Sequence, residues 1–154
     1  MVRGQDRFAS ALWLLETSDY AGAEAALSAH LAVEPDRGQR AFLLNKRGVA
    51  RIGLQQTQAA GEDFDAALVA VPGYAPALTN LGNMLVESGD LDAAIATFER
   101  AIASDPQYAL AYLNLGVAYK RAGRIAEGVR ALRQAQRLER PSSSASFWRR
   151  PRPR

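Results

Sequence analysis

A regular repeat of small and large side chains constrains the fold of this chain more than any other feature of its sequence. When residues 75–108 are aligned above residues 109–142, the two segments match column by column. The matched pairs are Leu81-Gly82 with Leu115-Gly116, Gly89 with Gly123, Phe98 with Leu132 and Ala101 with Ala135. Such spacing, with a period of about 34 residues, is typical of stacked helix-turn-helix units. The sequence therefore predicts an all-α solenoid.

The same period extends towards the amino terminus with decreasing regularity. A second repeat covers residues 41–74, and a weaker first repeat covers about residues 4–37. Residues 38–40 between them read as an insertion, and the last repeat covers residues 109–140. The irregular first repeat is expected of an end unit that has only one neighbour. We therefore expect about four repeats in one domain, 4–140.

Within the third repeat, Leu78, Leu81-Gly82 and Leu85 are followed by Ala94, Phe98 and Pro106 at fixed spacings. These residues resemble the tetratricopeptide repeat (TPR) family. The pattern W-x2-L-G-x2-Y…A-x3-F…P describes that family. The resemblance implies a right-handed superhelical solenoid and the job of a protein-interaction scaffold or adaptor. Here the pattern reads Leu78-x2-Leu81-Gly82-x2-Leu85, then Ala94-x3-Phe98, then Pro106.

Glycine and aspartate predict where the helices end and how closely they pack. Gly89 is placed to end the first helix of the third repeat in a left-handed conformation, and Asp90 to cap the next helix. In the second repeat, Gln55 stands where glycine marks this turn. A column of small residues predicts close approach of the helices, because a glycine inside a helix is otherwise unfavourable. Its members are Ala11, Gly48, Gly82 and Gly116.

Composition excludes several classes of protein and site. The chain has no cysteine, so it has neither a disulfide framework nor a thiolate zinc site. No run approaches the roughly 18 consecutive apolar residues of a membrane span. The first residues lack the layout of a signal peptide. We therefore expect a cytoplasmic protein, and we expect no cofactor.

Catalytic constellations are nearly absent, which predicts that the protein is not an enzyme. His30 is the one histidine, and it lies in a column of alanines, so we interpret it as a packed residue of the first repeat. No P-loop, H-E-x-x-H or G-x-S-x-G motif occurs. Four carboxylates look paired, and we interpret them as helix caps or surface charge. They are Asp63, Asp65, Asp90 and Asp92.

A concave groove, lined by the first helices of successive repeats, is the site that the resemblance implies. Asn80 and Asn114 are one period apart and form an asparagine ladder similar to that of O-linked GlcNAc transferase repeats. A primary amide offers two donors and an acceptor, so such a ladder suits the backbone of an extended peptide of any sequence. Asparagine that only contacts solvent or the helix ends is the alternative. The expected groove residues are Asn45, Lys46, Val49, Thr79, Asn80, Asn83, Glu87, Leu113, Asn114, Val117, Lys120 and Arg121.

The carboxylate clamp of chaperone-binding TPR domains matches this sequence poorly. Leu110 and Asn114 stand where the clamp needs lysine and arginine on the first helix of its last repeat. Asn45 and Val49 replace its first lysine and first asparagine, and only Asn80 fits. The sequence therefore disfavours binding to the acidic carboxyl terminus of a chaperone.

Charge is distributed unevenly along the chain and leaves two other partners open. Residues 1–119 hold 8 basic and 14 acidic residues, a balance of −6, whereas residues 120–154 hold 11 basic and 2 acidic residues, a balance of +9. The tail, 141–154, combines Phe147 and Trp148 with a run of arginines, and we expect it to be disordered. Nucleic acid or an anionic membrane surface is one alternative partner. Self-association between the acidic front and the basic back is the other.

Overall fold

The computed structural model of the chain describes residues 8–33 and 35–140. The expectations for the tail, 141–154, therefore lie outside the described residues. Eight helices account for most of the described part. They are α1 (Ala9–Glu16), α2 (Tyr20–Leu31), α3 (Arg37–Gly53), α4 (Thr57–Ala70), α5 (Ala75–Ser88), α6 (Leu91–Ser104), α7 (Ala109–Arg121) and α8 (Ile125–Glu139).

The helices form four hairpins that stack in chain order, and the predicted all-α solenoid is confirmed. Each helix packs on the one before it and the one after it, from α1 through α8. The first helices of successive hairpins also lie side by side, α3 against α5 and α5 against α7. The repeat limits at 4–37, 41–74, 75–108 and 109–140 remain predictions.

The turn inside each hairpin places one residue in the left-handed region, always in the same column. The predicted Gly89 and Gly123 adopt φ of 87° and 77°. Ser18 and Gln55 occupy the same column with φ of 62° and 60°. Left-handed backbone is unfavourable for a residue with a Cβ atom. The turn geometry therefore follows from how the two helices pack, and glycine only makes it easier.

Aspartate caps the second helix of a hairpin where the sequence provides one. Asp90 accepts a hydrogen bond from the amide of Ala93 at 3.2 Å, and Asp19 accepts one from Gly22 at 3.0 Å. Gln56 and Arg124 take this place in the other two hairpins and make no side-chain cap. The predicted cap at Asp90 is therefore confirmed.

The glycine column brings the two helices of a hairpin into close contact. A Cβ atom on Gly48 would lie 2.5 Å from the Phe64 ring, and one on Gly82 would lie 2.5 Å from the Phe98 ring. Both rings are completely buried. Real Cβ atoms do not approach other atoms this closely, so the two glycines are required by the packing of the rings.

The expected insertion, 38–40, is helical. Helix α3 begins at Arg37, and the side chain of Asp36 accepts a hydrogen bond from the Gln39 amide at 2.8 Å. The inserted residues therefore extend the first helix of the second hairpin beyond the repeating pattern. A capping aspartate at this place stabilises the added turn.

A partly buried ion-pair cluster, centred on the buried Asp63, joins the first two hairpins. Arg47 of α3 makes two hydrogen bonds to the Asp63 carboxylate of α4, at 2.9 and 2.7 Å. Arg51 lies 3.0 Å from the same carboxylate and donates to Glu24 of α2 at 2.9 Å. The hydrogen bond to Asp63 raises the pKa of Arg47.

The sequence-based interpretation of Asp63 as a cap or a surface charge is wrong. Only 3% of Asp63 is exposed, and it pairs with arginines that take the place of Leu81 and Leu85 of the next repeat. Asp90 is a cap, and Asp65 and Asp92 are exposed, as expected.

Candidate functional site

Helices α3, α5 and α7 lie side by side and carry all twelve expected groove residues. We call the surface that these residues form the groove. Two side-chain hydrogen bonds cross it: Asn80 donates to Asn45 at 2.8 Å, and Asn114 donates to Asn83 at 2.9 Å. Each bond joins a helix to the equivalent helix of the preceding repeat. The ladder asparagines therefore use one amide hydrogen to hold the solenoid together.

The twelve residues differ widely in their exposure. Those of α3 and α5 are mostly half-buried, because a neighbouring helix covers part of each. The half-buried residues are Lys46, Val49, Asn80, Asn83 and Asn114. The exposed residues are Glu87, Leu113, Val117, Lys120 and Arg121.

Asn45 and Thr79 do not contribute accessible side chains to the groove, which corrects the sequence-based expectation. Asn45 is 4% exposed and Thr79 is completely buried. The hydroxyl of Thr79 donates to the Ala75 carbonyl at 2.8 Å within its own helix. Both residues occupy the column that the first helix of the next repeat covers. The equivalent Leu113 is 38% exposed, because no helix of the described part covers α7 on that side.

The accessible charges of the groove are mainly positive. Three of its charged residues, Lys46, Lys120 and Arg121, are basic, and one, Glu87, is acidic. Arg121 lies 3.6 Å from Glu87, and both side chains are more than half exposed. An exposed pair of this kind contributes little to stability. It leaves both groups available to a ligand.

A cavity of about 510 Å³ opens between the second and third repeats. Volumes of this size are typical of ligand sites. Its apolar walls come from three helices, and polar side chains from the groove and the helix ends complete the lining. The lining residues are Val49, Ile52, Thr57, Phe64, Asn80, Asn83, Met84, Glu87 and Ser88.

Sequence analysis missed Ile52 and Met84, although one signal in the sequence pointed to the cavity. Gly61 stands one period before Ile95, in a column that is otherwise apolar in the last two repeats. Side chains of one repeat fill the space against the next repeat, so a glycine at such a junction leaves part of that space unfilled. This break in the pattern indicates the position of the cavity.

Tyr119 fixes α7 against α6 beside the groove. Its hydroxyl donates to Glu99 at 2.7 Å, and the Arg124 guanidinium lies 4.4 Å from the ring centroid. Burial raises the pKa of Tyr119, and the hydrogen bond to Glu99 raises it further. Burial also raises the pKa values of Tyr74 and Tyr108.

No metal-binding cluster occurs among residues 8–33 and 35–140. No group of three or more histidine, aspartate or glutamate side chains is arranged to hold a metal ion in this part of the chain. His30 is half-buried and packs edge-on against Phe8, with ring centroids 5.0 Å apart. This contact agrees with the expected packing role of His30. None of the described helices is both long enough and apolar enough to cross a membrane.

An apolar strip on α7 is exposed at one end of the described solenoid. Leu110, Leu113 and Val117 are 43%, 38% and 44% exposed. They lie at spacings that place them on one helix face. The adjacent α8 instead exposes arginines, among them Arg130, Arg133 and Arg137. At the other end of the described solenoid, Trp13 of α1 is 60% exposed.

Comparison with protein families agrees with this architecture. Residues 82–123 match the family described as TPR repeat, and residues 109–141 match the one described as tetratricopeptide repeat. These matches identify residues 82–141 as tetratricopeptide repeats. No curated protein sequence matches the chain significantly.

Solved TPR structures share the fold at low sequence identity. MamA is similar over 89% of this chain and 77% of its own, with 24% identity and a TM-score of 0.68. YrrB, described as a TPR protein with an unusual peptide-binding site, is similar over 86% and 66%, with 20% identity and a TM-score of 0.63. The second TPR of Spaghetti (RPAP3), bound to the HSP90 peptide SRMEEVD, is similar over 67% and 90%, with 20% identity and a TM-score of 0.61.

Proposed function

We propose that this TPR protein is a non-enzymatic scaffold or adaptor that binds an extended segment of a partner protein in the groove. The observation that carries the proposal is the row of amides on neighbouring helices, Asn80 with Asn45 and Asn114 with Asn83. Each donating amide uses one hydrogen in these bonds and keeps further donor and acceptor capacity for a peptide backbone.

Two structural neighbours support the type of ligand. YrrB and the Spaghetti domain are described with a peptide-binding site and a bound peptide, respectively. The clamp residues that the family uses for a terminal carboxylate are replaced here, as at Leu110 and Val49. The proposed ligand is therefore an internal extended segment. Cytoplasmic residence remains a prediction from the sequence.

A selection experiment tests the proposal directly. A phage library of random 12-residue peptides is selected on the immobilised full chain, and enriched peptides are measured by fluorescence anisotropy. The double variant Lys46→Glu with Lys120→Glu reverses two groove charges while leaving the packed core intact. We expect it to lose at least about tenfold in affinity. Equal affinity, with unchanged circular dichroism, would contradict binding in the groove.

Self-association is the second candidate, and the apolar strip Leu110, Leu113 and Val117 favours it. This strip at one end and Trp13 at the other give two different apolar ends. Contacts between unlike ends propagate into open assemblies. Light scattering at low and high salt tests this candidate, with Val117→Asp as the variant. If the wild-type protein is monomeric at both salt concentrations, self-association is ruled out.

Binding to nucleic acid or an anionic membrane remains a prediction, because it depends on residues 141–154. Deletion of these residues, with titration at two salt concentrations, distinguishes it from groove binding. Loss of binding on deletion, with a steep dependence on salt, is the expected signature of a phosphate-binding tail.

A further inference from the structure

The cavity between the second and third repeats lies at a junction where the chain exchanges the positions of one large and one small residue. At the junction of the third and fourth repeats, Ile95 is buried against α7 in a cluster that includes Ala118. At the preceding junction the same two columns hold Gly61 and Met84. A branched side chain is therefore missing from α4, and a long flexible one has been added on α5.

Met84 reaches towards the space that a residue at Gly61 would occupy. A Cβ atom on Gly61 would lie 3.4 Å from Met84 Cε, which is an ordinary contact. Met84 also lines the cavity with Val49 and Ile52. Methionine has several rotatable bonds and a polarisable sulfur, so it adapts to the shape of an apolar partner. One wall of the cavity is thus adjustable.

We propose that this cavity is the anchor pocket of the groove and that it receives one large apolar side chain of an acidic extended segment. The proposal rests on the proposed function, because it assigns a subsite within the same groove. The apolar walls select an apolar side chain, since an unpaired polar group would be costly to bury there. Asn80 and Asn83 line the same cavity and offer amides to the backbone on either side of the anchor.

The charged residues near the pocket determine which ligand residues are favoured on either side of the apolar side chain that enters it. Lys46 lies one helical turn before Val49 on α3, and Arg121 lies 3.6 Å from Glu87, which lines the cavity. These two cations outnumber the one carboxylate of Glu87 and favour acidic residues next to the anchor. The same cations repel the arginines of residues 149–154, which disfavours this segment of the chain as the occupant.

A double variant closes the pocket without removing core packing. Gly61→Ile with Met84→Ala reproduces the Ile95 and Ala118 pair that fills the next junction. The probes are the peptides enriched from the 12-residue phage library. We expect these peptides to share one large apolar residue close to an acidic one, and we expect the double variant to bind them at least about tenfold more weakly.

Two further variants complete the test. Val69→Ala is the matched control, because Val69 is 84% exposed on α4 and does not line the cavity; it should bind as the wild type does. Ile52→Asp places a charge in the pocket wall at a residue that is 42% exposed. It should also lose binding, and it replaces the double variant if that variant fails to fold.

The outcomes distinguish the proposed anchor pocket from the proposed binding of a segment in the groove as a whole. Full affinity in the pocket variants, with loss in Lys46→Glu/Lys120→Glu, overturns the pocket and leaves binding in the groove standing. Full affinity in both sets of variants overturns both proposals. Enriched peptides without a shared large apolar residue, or a library without related binders, also overturn the pocket.

Discussion

Asn80 Nδ2 lies 2.8 Å from Asn45 Oδ1, and this hydrogen bond joins α5 to α3 across the groove. Asn114 makes the equivalent link from α7 to Asn83. Sequence analysis treated Asn80 and Asn114 as ligand contacts, with contacts to solvent or the helix ends as the alternative. Each of them therefore has two roles, one in holding adjacent repeats together and one in the proposed binding of a partner.

We predict that Asn80→Ala with Asn114→Ala lowers both stability and peptide affinity. Each lost hydrogen bond costs about 0.5–1.5 kcal/mol, so the melting temperature should fall by several degrees. Differential scanning calorimetry measures this change. Gln58→Ala is the control, because its bond to Glu62 is exposed and contributes little. Unchanged melting of the double variant would contradict the structural role.

Gly82→Ala should destabilise the protein although alanine favours helices. The new Cβ atom would lie 2.5 Å from the Phe98 ring, which is completely buried and cannot move aside freely. Overpacking of this kind costs about 1–3 kcal/mol. Urea unfolding provides the measurement. Gly38→Ala is the control, because its nearest neighbour would be Asp36 Oδ1 at 3.5 Å, and it should not destabilise the protein.

Gln55→Gly should stabilise the protein, whereas Gly89→Ala should destabilise it. Gln55 holds φ at 60°, and left-handed backbone costs a residue with a Cβ atom about 1–2 kcal/mol. Nothing lies within 4 Å of a Cβ atom on Gly89, so the cost of alanine there comes from the backbone alone. Chemical denaturation should give opposite shifts of about 1 kcal/mol. Shifts of the same sign would show that the turn does not require left-handed geometry.

Asp63→Ala should be among the most damaging single substitutions in the second repeat. It leaves Arg47 and Arg51 without their shared carboxylate, and removal of one partner from a buried pair costs about 3–5 kcal/mol. The triple variant Arg47→Leu, Arg51→Leu and Asp63→Thr transplants the residues of the third repeat. It should recover most of the loss, because apolar packing replaces the ion pair and the one carboxylate left behind, that of Glu24, is partly exposed. Equal destabilisation of both variants would contradict this account.

Stability should fall above about pH 10, where exposed tyrosine ionises. The pKa of Tyr119 is raised in the folded protein by burial and by its bond to Glu99. Because a raised pKa favours the neutral phenol in the folded state, Tyr119 contributes in full to the free energy of unfolding below its unfolded pKa. This contribution is lost as the pH rises through the folded pKa. Urea titrations from about pH 8 to 11 measure this loss. Tyr119→Phe should show a smaller decline, and an equal decline would assign the effect to other groups.

Local signals in the sequence were enough to predict the hairpins, because turn and packing rules act over short distances. The left-handed turn at Gly89, the cap at Asp90 and the contact of Gly82 with Phe98 all follow from residue type and spacing. The helical conformation of residues 38–40 was not predicted, because a strict repeating register has no place for an added helical turn.

The site was harder to predict because exposure depends on neighbours that one repeat does not contain. Thr79 and Leu113 occupy the same column, yet Thr79 is completely buried beside α7 and Leu113 is exposed. Asp63 was interpreted as a surface charge, because the sequence does not show that two arginines of α3 converge on it. Column position alone does not distinguish these cases.

The sequence by itself determined the architecture, since a regular period of small and large side chains can be buried only by stacking helical hairpins. The tertiary structure decided which side chains the groove exposes, how Arg47, Arg51 and Asp63 share one buried cluster, and where the cavity lies. These features arise between repeats, where Gly61 meets Met84 and Asn80 meets Asn45. Their physical reason is packing between residues that are distant in the chain, which no local pattern specifies.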